Sequence, residues 1–118
     1  MKYDNEFWTY LNEIVEQSEI IIDRPKGTHH PTYPNIVYVA DYGYLKGTSS
    51  MDGKGIDIWM GTSNSKDIDT IICTIDLIKL DSEIKILLGC TEYEKKMIYE
   101  FHNNSKYMKG IMIKRTEK

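Results

Sequence analysis

The spacing of hydrophobic residues predicts a helix near the start of the chain. Between residues 4 and 16 the apolar side chains recur at helical intervals on one face, and Asn12, Glu13 and Glu16 occupy the other. The apolar positions are Phe7, Leu11, Ile14 and Val15, with Trp8 beside them. Asp4 is a suitable N-cap, because its side chain can accept a hydrogen bond from a free backbone N–H.

A second helix is predicted from Thr91 to about Phe101. Thr91-Glu92-Tyr93-Glu94 is a capping box, in which Thr91 and Glu94 each satisfy a backbone N–H of the first turn. The expected apolar stripe consists of Tyr93, Met97, Ile98 and Phe101.

The remaining pattern predicts six short strands rich in β-branched residues. They are Glu19–Asp23, Ile36–Val39, Ile56–Met60, 69–79, Glu83–Gly89 and Gly110–Lys114. The tight turn Leu80-Asp81-Ser82 joins the fourth and fifth strands, and the glycine-bearing segment 41–45 is predicted to be an aromatic loop. This order predicts an α+β fold, a small antiparallel barrel or curled sheet with two packed helices.

Composition adds that the chain is a single domain, residues 1–118, with no nucleic-acid partner and no membrane partner. Its 118 residues suffice for one core, with 41% hydrophobic and 28% charged residues. A net charge of −3 argues against general nucleic-acid binding, which needs a basic face. No apolar run spans a bilayer, and MKYDNEFWTY has no signal-peptide core, so we expect a cytoplasmic protein. In that compartment Cys73 and Cys90 are expected to be small core side chains.

Candidate chemistry concentrates between residues 38 and 57. Asp52 lies in a glycine-rich turn, and Asp57 begins a strand five residues later, so the turn can bring the two carboxylates together. Converging carboxylates favour a hard cation such as Mg²⁺. The alternative is that Asp52-Gly53 is an ordinary turn dipeptide.

Further candidates come from the hairpin and from the tyrosines. Asp81 or Glu83 can supply a third acid, and Lys85 shares a strand face with Glu83. The hydroxyl groups of Tyr38 and Tyr42 can donate hydrogen bonds to phosphate oxygens. His29 and His30 are adjacent, and their side chains are expected to diverge rather than share a metal.

These residues resemble the motifs of the soluble family I inorganic pyrophosphatases. Tyr38-x-x-Asp-Tyr42-Gly-Tyr-Leu, followed by Asp52-Gly-x-x-x-Asp57, is similar to that family's Tyr-Pro-x-Asn-Tyr-Gly-Tyr/Phe-Ile and Asp-Gly-Asp-Pro-x-Asp-Val. The segment 22–28 looks like the family's Ile-Glu-Ile-Pro-Lys-Gly-Ser, and 81–85 is similar to its later Asp-x-Lys pair. The likeness covers roughly residues 20 to 88.

The resemblance implies a five-stranded OB-like β-barrel at residues 18–90. An N-terminal helix, 1–17, and a C-terminal helix and strand, 91–118, would pack on it. It also implies an acidic cavity that holds Mg²⁺. The implied metal ligands are Asp52, Asp57 and Glu83, with Asp81 and Asp23 as further candidates.

The same resemblance implies the roles of the remaining site residues. Asp52, Asp57, Lys85 and Tyr42 would be catalytic, and Tyr38, Tyr42, Lys54 and Lys85 would bind substrate. Lys54 stands where the family has its general-base aspartate, and its positive charge can bind a phosphate directly.

Three functions are consistent with these observations. The first is a Mg²⁺-dependent hydrolase acting on pyrophosphate or a related phosphoanhydride. The second is a catalytically degenerate domain that binds a phosphate-bearing metabolite or nucleotide without turnover. The third is assembly into a homo-oligomer through the aromatic helix around Phe7 and Trp8, although such stripes usually complete the chain's own core.

Overall fold

The computed structural model describes residues 2–51 and 53–116, and in these residues it has two helices and six strands. The order α-β-β-β-β-β-α-β is the predicted one, so the α+β class is confirmed. The elements are α1 (Asp4–Gln17), β1 (Glu19–Arg24), β2 (Asp41–Lys46), β3 (Ile56–Met60), β4 (Thr70–Asp76), β5 (Asp81–Leu88), α2 (Glu92–Asn103) and β6 (Met108–Lys114).

The six strands form one open, mixed sheet in the order β1-β2-β3-β5-β4-β6. Neighbouring strands run antiparallel, except that β3 and β5 are parallel. In the described part of the chain β1 and β6 lie at opposite edges, so the sheet does not close into the expected five-stranded OB-like barrel.

The second strand of the prediction was misplaced. The segment Ile36–Val39 makes only one isolated bridge, between His29 and Val37. The turn that joins these two residues contains Pro31 and Pro34, which have no N–H with which to extend the pairing into a ladder. The second strand is instead Asp41–Lys46, predicted as a loop because it contains Gly43. The turn after β4 also differs, since Asp81 and Ser82 already belong to β5.

Gly43 lets β1 lie unusually close to β2. A Cβ atom at this position would lie 1.8 Å from the carbonyl oxygen of Ile21, a distance no side chain tolerates. The β1–β2 register is also irregular between Ile21 and Arg24. The glycine of the tyrosine motif therefore marks close backbone contact inside a strand rather than a loop.

Each face of the sheet is partly covered by one helix. On one face, Trp8, Leu11 and Val15 of α1 pack against a buried cluster that includes Ile58 and Ile86. On the other face, α2 contributes Ile98 to a second cluster, with Tyr38, Ala40, Trp59, Ile72 and Leu87. Since both faces are buried along β3 and β5, polar side chains on the α2 face must find partners there.

The helices form as predicted, but the faces that they bury differ. In α1, Phe7 and Ile14 are exposed by 43% and 39%, and Tyr3 rather than Asp4 is the N-cap residue. In α2 the capping box is present, whereas Tyr93 is exposed. Glu94, Lys95 and His102 are buried beside Ile98 instead, because each has a polar partner. Neither described helix is long and apolar enough to cross a bilayer.

Candidate functional site

The candidate site is centred on the ammonium group of Lys85. Its Nζ atom donates to Tyr42 Oη at 2.9 Å, to Asp57 Oδ2 at 2.8 Å and to Glu83 Oε1 at 3.0 Å. Tyr42 also donates its hydroxyl proton to Asp57 Oδ2. We call these four residues the Lys85 cluster. A lysine ammonium has three protons, and all three are used here.

Strand geometry brings the cluster together. Glu83 and Lys85 are two apart on β5, so they point to the same face. Tyr42 on β2 and Asp57 on β3 are diagonal neighbours on that face, because Tyr42 pairs with Trp59 and Tyr44 with Asp57. The parallel pairing of β3 with β5 sets the two halves of the cluster side by side.

Burial and charge fix the protonation states of Lys85 and Tyr42. The Lys85 side chain is 5% exposed, that of Glu83 8% and that of Asp57 19%. Burial opposes the charge on Lys85, but the Tyr42 oxygen and the Asp57 carboxylate outweigh it and raise the pKa of Lys85 above its usual value. Burial also raises the pKa of Tyr42, with Lys85 opposing and Asp57 adding to the effect. Lys85 is therefore cationic and Tyr42 neutral at physiological pH.

A second layer, formed by Tyr38 and Arg24, covers Tyr42. The ring of Tyr38 stacks on that of Tyr42 at 5.2 Å between centroids, and Arg24 donates a hydrogen bond to Tyr38 Oη. Arg24 also lies over the Tyr38 ring, with 5.5 Å between its Cζ and the centroid. A guanidinium group therefore lies one side chain away from the Lys85 cluster.

Trp59 packs against Tyr42 and is hydrogen-bonded to His102. The Trp59 ring meets Tyr42 edge to face at 4.6 Å, and its Nε1–H donates to His102 Nε2 at 3.0 Å. Because His102 lies near the end of α2, this hydrogen bond ties the helix to the strand that carries Asp57. Burial, with the nearby Lys85 charge, lowers the pKa of His102 to about 3, so the imidazole is neutral.

The structure brings together four of the residues predicted from the sequence, namely Tyr42, Asp57, Glu83 and Lys85, with Tyr38 in contact with Tyr42. The other predicted residues lie elsewhere or cannot be placed. Asp81 pairs with Asp76 at the start of β5, and Asp23 is exposed on β1 beside Arg24. Lys54 is exposed in the loop before β3, and Asp52 lies outside the described residues.

The oxygen ligands available here fit Mg²⁺ in part. In residues 2–51 and 53–116 no group of three or more metal-binding side chains is present. Asp57 and Glu83 nevertheless converge on one cationic atom, Lys85 Nζ. Protein-bound Mg²⁺ commonly takes one or two carboxylates and completes its shell with water and substrate phosphate. Asp57 and Glu83 match this number of carboxylates, while the ammonium group of Lys85 lies where they converge.

The two histidines after Gly27 have partners within their own loop. Nδ1 of His29 lies 2.7 Å from the carbonyl oxygen of Pro34. Nδ1 of His30 accepts from the backbone N–H groups of Thr32 and Tyr33, and its ring stacks on Tyr38. Their polar atoms therefore hold the loop that covers Tyr38.

Sequence reasoning missed Arg24, Trp59 and His102. Arg24 could have been found once Tyr42 was assigned to a strand, because the two residues pair across β1 and β2. The other two carried no such signal, since a Trp on a strand and a His on a helix are usually core residues.

No protein-family model and no curated protein matches this chain. The resemblance to family I pyrophosphatases therefore stays a prediction from the motif residues of the sequence.

Proposed function

We propose that the Lys85 cluster binds and hydrolyses a magnesium-complexed phosphoanhydride, of which pyrophosphate is the simplest. The observation that carries this proposal is the convergence of Asp57, Glu83 and the neutral Tyr42 on one ammonium group. Two carboxylates face one cation here, so the cluster has a formal negative excess that favours further positive charge.

Asp57 and Glu83 are the residues that would hold Mg²⁺. When bound, the ion would lower the pKa of a coordinated water and so supply a nucleophile at neutral pH. Asp57 is the most exposed of the three charged side chains in the cluster, so the site would be approached from its side.

Lys85 would contact the phosphate. All of its protons are donated within the cluster, so it can turn one towards a phosphate only when another cation takes up its carboxylate partners. Metal and anion binding are then thermodynamically linked, and each strengthens the other. Arg24, one layer away behind Tyr38, adds positive charge for a second phosphoryl group.

A second candidate is a domain that binds a phosphate-bearing metabolite without turnover. The hydrogen bonding of Asp57 Oδ2 favours this second candidate. The atom accepts hydrogen bonds from both Tyr42 and Lys85, and it is a poor base while it does so. Both candidates require the same linkage between Mg²⁺ and the anion.

The deciding experiment combines calorimetry with a phosphate-release assay. Pyrophosphate should bind in the presence of Mg²⁺ and at least tenfold more weakly without it, and the complex should release phosphate. Asp57→Asn should abolish both effects. Asp67→Asn, at an exposed position outside the cluster, should leave both unchanged.

Each outcome has a defined reading. Binding without phosphate release would replace the enzymatic proposal with the second candidate. An absence of binding in both metal conditions would overturn both. Release that is equal in the wild type and in Asp57→Asn would show that the cluster is not the site.

A further inference from the structure

Helix α1 has a second apolar stripe that the described chain leaves uncovered. At 100° per residue, three apolar side chains of α1 fall within about 60° of arc, next to the buried stripe of Trp8, Leu11 and Val15, and the N-cap residue Tyr3 precedes them. These four side chains are exposed by 64%, 43%, 64% and 39%, and they are Tyr3, Phe7, Tyr10 and Ile14. An amphipathic helix of a monomer usually turns such residues inward.

The sheet face beside this stripe is also apolar and bare. Cys73 on β4 pairs with Ile84 on β5 and with Ile111 on β6, so the three side chains form a row across the sheet. Ile84 is 46% exposed and Ile111 is 64% exposed, while Ile75 and Ile113 on the same face are exposed by 55% and 42%. Helix α1 covers the centre of the sheet and leaves this part open.

The helix stripe and the bare face are continuous. Phe7 and Trp8 of α1 line a shallow cavity of about 170 Å³ together with Ile71 and Ile113 of the sheet. We call the whole surface the α1–β6 strip. Its eight large side chains are Tyr3, Phe7, Tyr10, Ile14, Ile75, Ile84, Ile111 and Ile113.

The size of the strip matches a stable protein interface. With roughly 100 Å² exposed per side chain, eight half-exposed residues supply on the order of 800 Å². That is about what each partner buries in a standard interface, and it exceeds the largest apolar patch of a typical monomer, about 300–600 Å².

Charge favours a second copy as the occupant of the strip. Helix α1 carries Glu6, Glu13 and Glu16 and no basic residue, whereas Lys109 on β6 pairs with Ile75 and so lies on the bare face of the sheet. The ammonium group of Lys109 donates to two backbone carbonyl oxygens rather than to a carboxylate. A helix α1 from a second copy, laid on the β4–β6 face, would therefore bring its carboxylates towards Lys109. Such complementarity sets orientation and partner choice.

We propose that two copies of this chain form a two-fold dimer through the α1–β6 strip, each α1 packing on the bare β4–β6 face of the other. The arrangement is isologous, because the helix half of the strip in each copy packs on the sheet half of the other. The interface therefore contains the same contact twice and joins two copies only. It lies on the face of the sheet opposite the Lys85 cluster and does not depend on the proposed activity.

The test is sedimentation equilibrium of the full chain over a range of concentrations, with two matched pairs of variants. Ile84→Lys and Tyr10→Lys place a charge in the sheet half and in the helix half of the strip. Ile36→Lys and Tyr93→Lys replace residues of the same types, 38% and 70% exposed, outside the strip. Each strip variant should weaken the dimer at least about tenfold, as expected for central interface positions, and each control should leave it unchanged.

Three results would overturn the proposal. The first is a wild-type chain that stays at 13.8 kDa at every concentration, which would leave the strip to a different partner. The second is a dimer that only one of the two strip variants disrupts. The third is equal disruption by a control variant. Should Ile84→Lys fail to fold by circular dichroism, Ile111→Lys replaces it, since Ile111 is the most exposed isoleucine of the strip.

Discussion

The indole N–H of Trp59 donates to Nε2 of His102 at 3.0 Å, and both side chains are at least 96% buried. Since Nε2 accepts, the imidazole is neutral and carries its proton on Nδ1, which has no partner in the described chain. A second proton would turn Nε2 into a donor and leave two N–H groups facing each other. The contact between α2 and the sheet therefore requires neutral His102.

This requirement predicts how the stability depends on pH. The unfolded chain has an ordinary histidine pKa near 6.5, whereas burial lowers that of folded His102 to about 3. Below pH 6.5 this histidine binds a proton in the unfolded state but not in the folded state, so the folded state loses stability as the pH falls. Between pH 7 and pH 5 the loss from this residue is about 2 kcal/mol.

Urea denaturation of the wild type and of His102→Gln at both pH values measures this loss. Glutamine keeps a hydrogen-bond acceptor for Trp59 but does not titrate, so the variant should lose about 2 kcal/mol less than the wild type. An equal loss in both proteins would assign the pH dependence to other groups.

Lys85→Met removes the only cation that Asp57 and Glu83 contact in the described chain. Two carboxylates then lie in the cluster without a cation, and we expect the free energy of unfolding to fall by about 3 kcal/mol. Millimolar Mg²⁺ should raise the melting temperature of this variant more than that of the wild type, because the ion replaces the ammonium. A variant that does not respond to Mg²⁺ would contradict the view that these carboxylates form a cation site.

Tyr42→Phe deletes the hydroxyl that accepts from Lys85 and donates to Asp57. The ring packing is retained, so the expected cost is that of one hydrogen bond to charged groups, about 2 kcal/mol. Tyr44→Phe is the matched control, two residues along the same strand. Chemical denaturation should separate the two variants by that amount, and equal stability would indicate that the Tyr42 hydroxyl adds nothing to the fold.

Gly43→Ala should destabilise the sheet by about 3 kcal/mol, because the added methyl group would overlap the Ile21 carbonyl oxygen and force β1 away from β2. Gly47→Ala provides the comparison. Gly47 has φ +86° but open space around it, so its cost is conformational strain alone, about 1 kcal/mol. Equal melting temperatures of the two variants would show that close contact with Ile21 is not the reason for a glycine at position 43.

The sequence predicted the number and order of the elements because most of them have a clear period. The period of two along the predicted strand Glu83–Gly89 placed Glu83 and Lys85 on one face, and their half of the cluster follows from that alternation. The sequence prediction failed at β2, because glycine in a strand and glycine in a loop cannot be distinguished until the neighbouring strand is known.

Contacts between distant segments account for the other differences. Phe7 and Ile14 fit the same helical stripe as Leu11, and only the position of α1 on the sheet separates the buried from the exposed side. Likewise, the bond between Trp59 and His102 joins residues 43 positions apart, which no local pattern records.

The parallel pairing of β3 with β5 also has a consequence for folding kinetics. The antiparallel unit β1–β3 and the antiparallel unit β4–β6 meet along this one pair of strands, through three residue pairs in register. Parallel strands require a long loop closure before any contact is made, so this junction should be the slow step of folding. Tyr42 and Asp57 come from one unit, and Glu83 and Lys85 from the other. The cluster can therefore assemble only in chains that have completed this step.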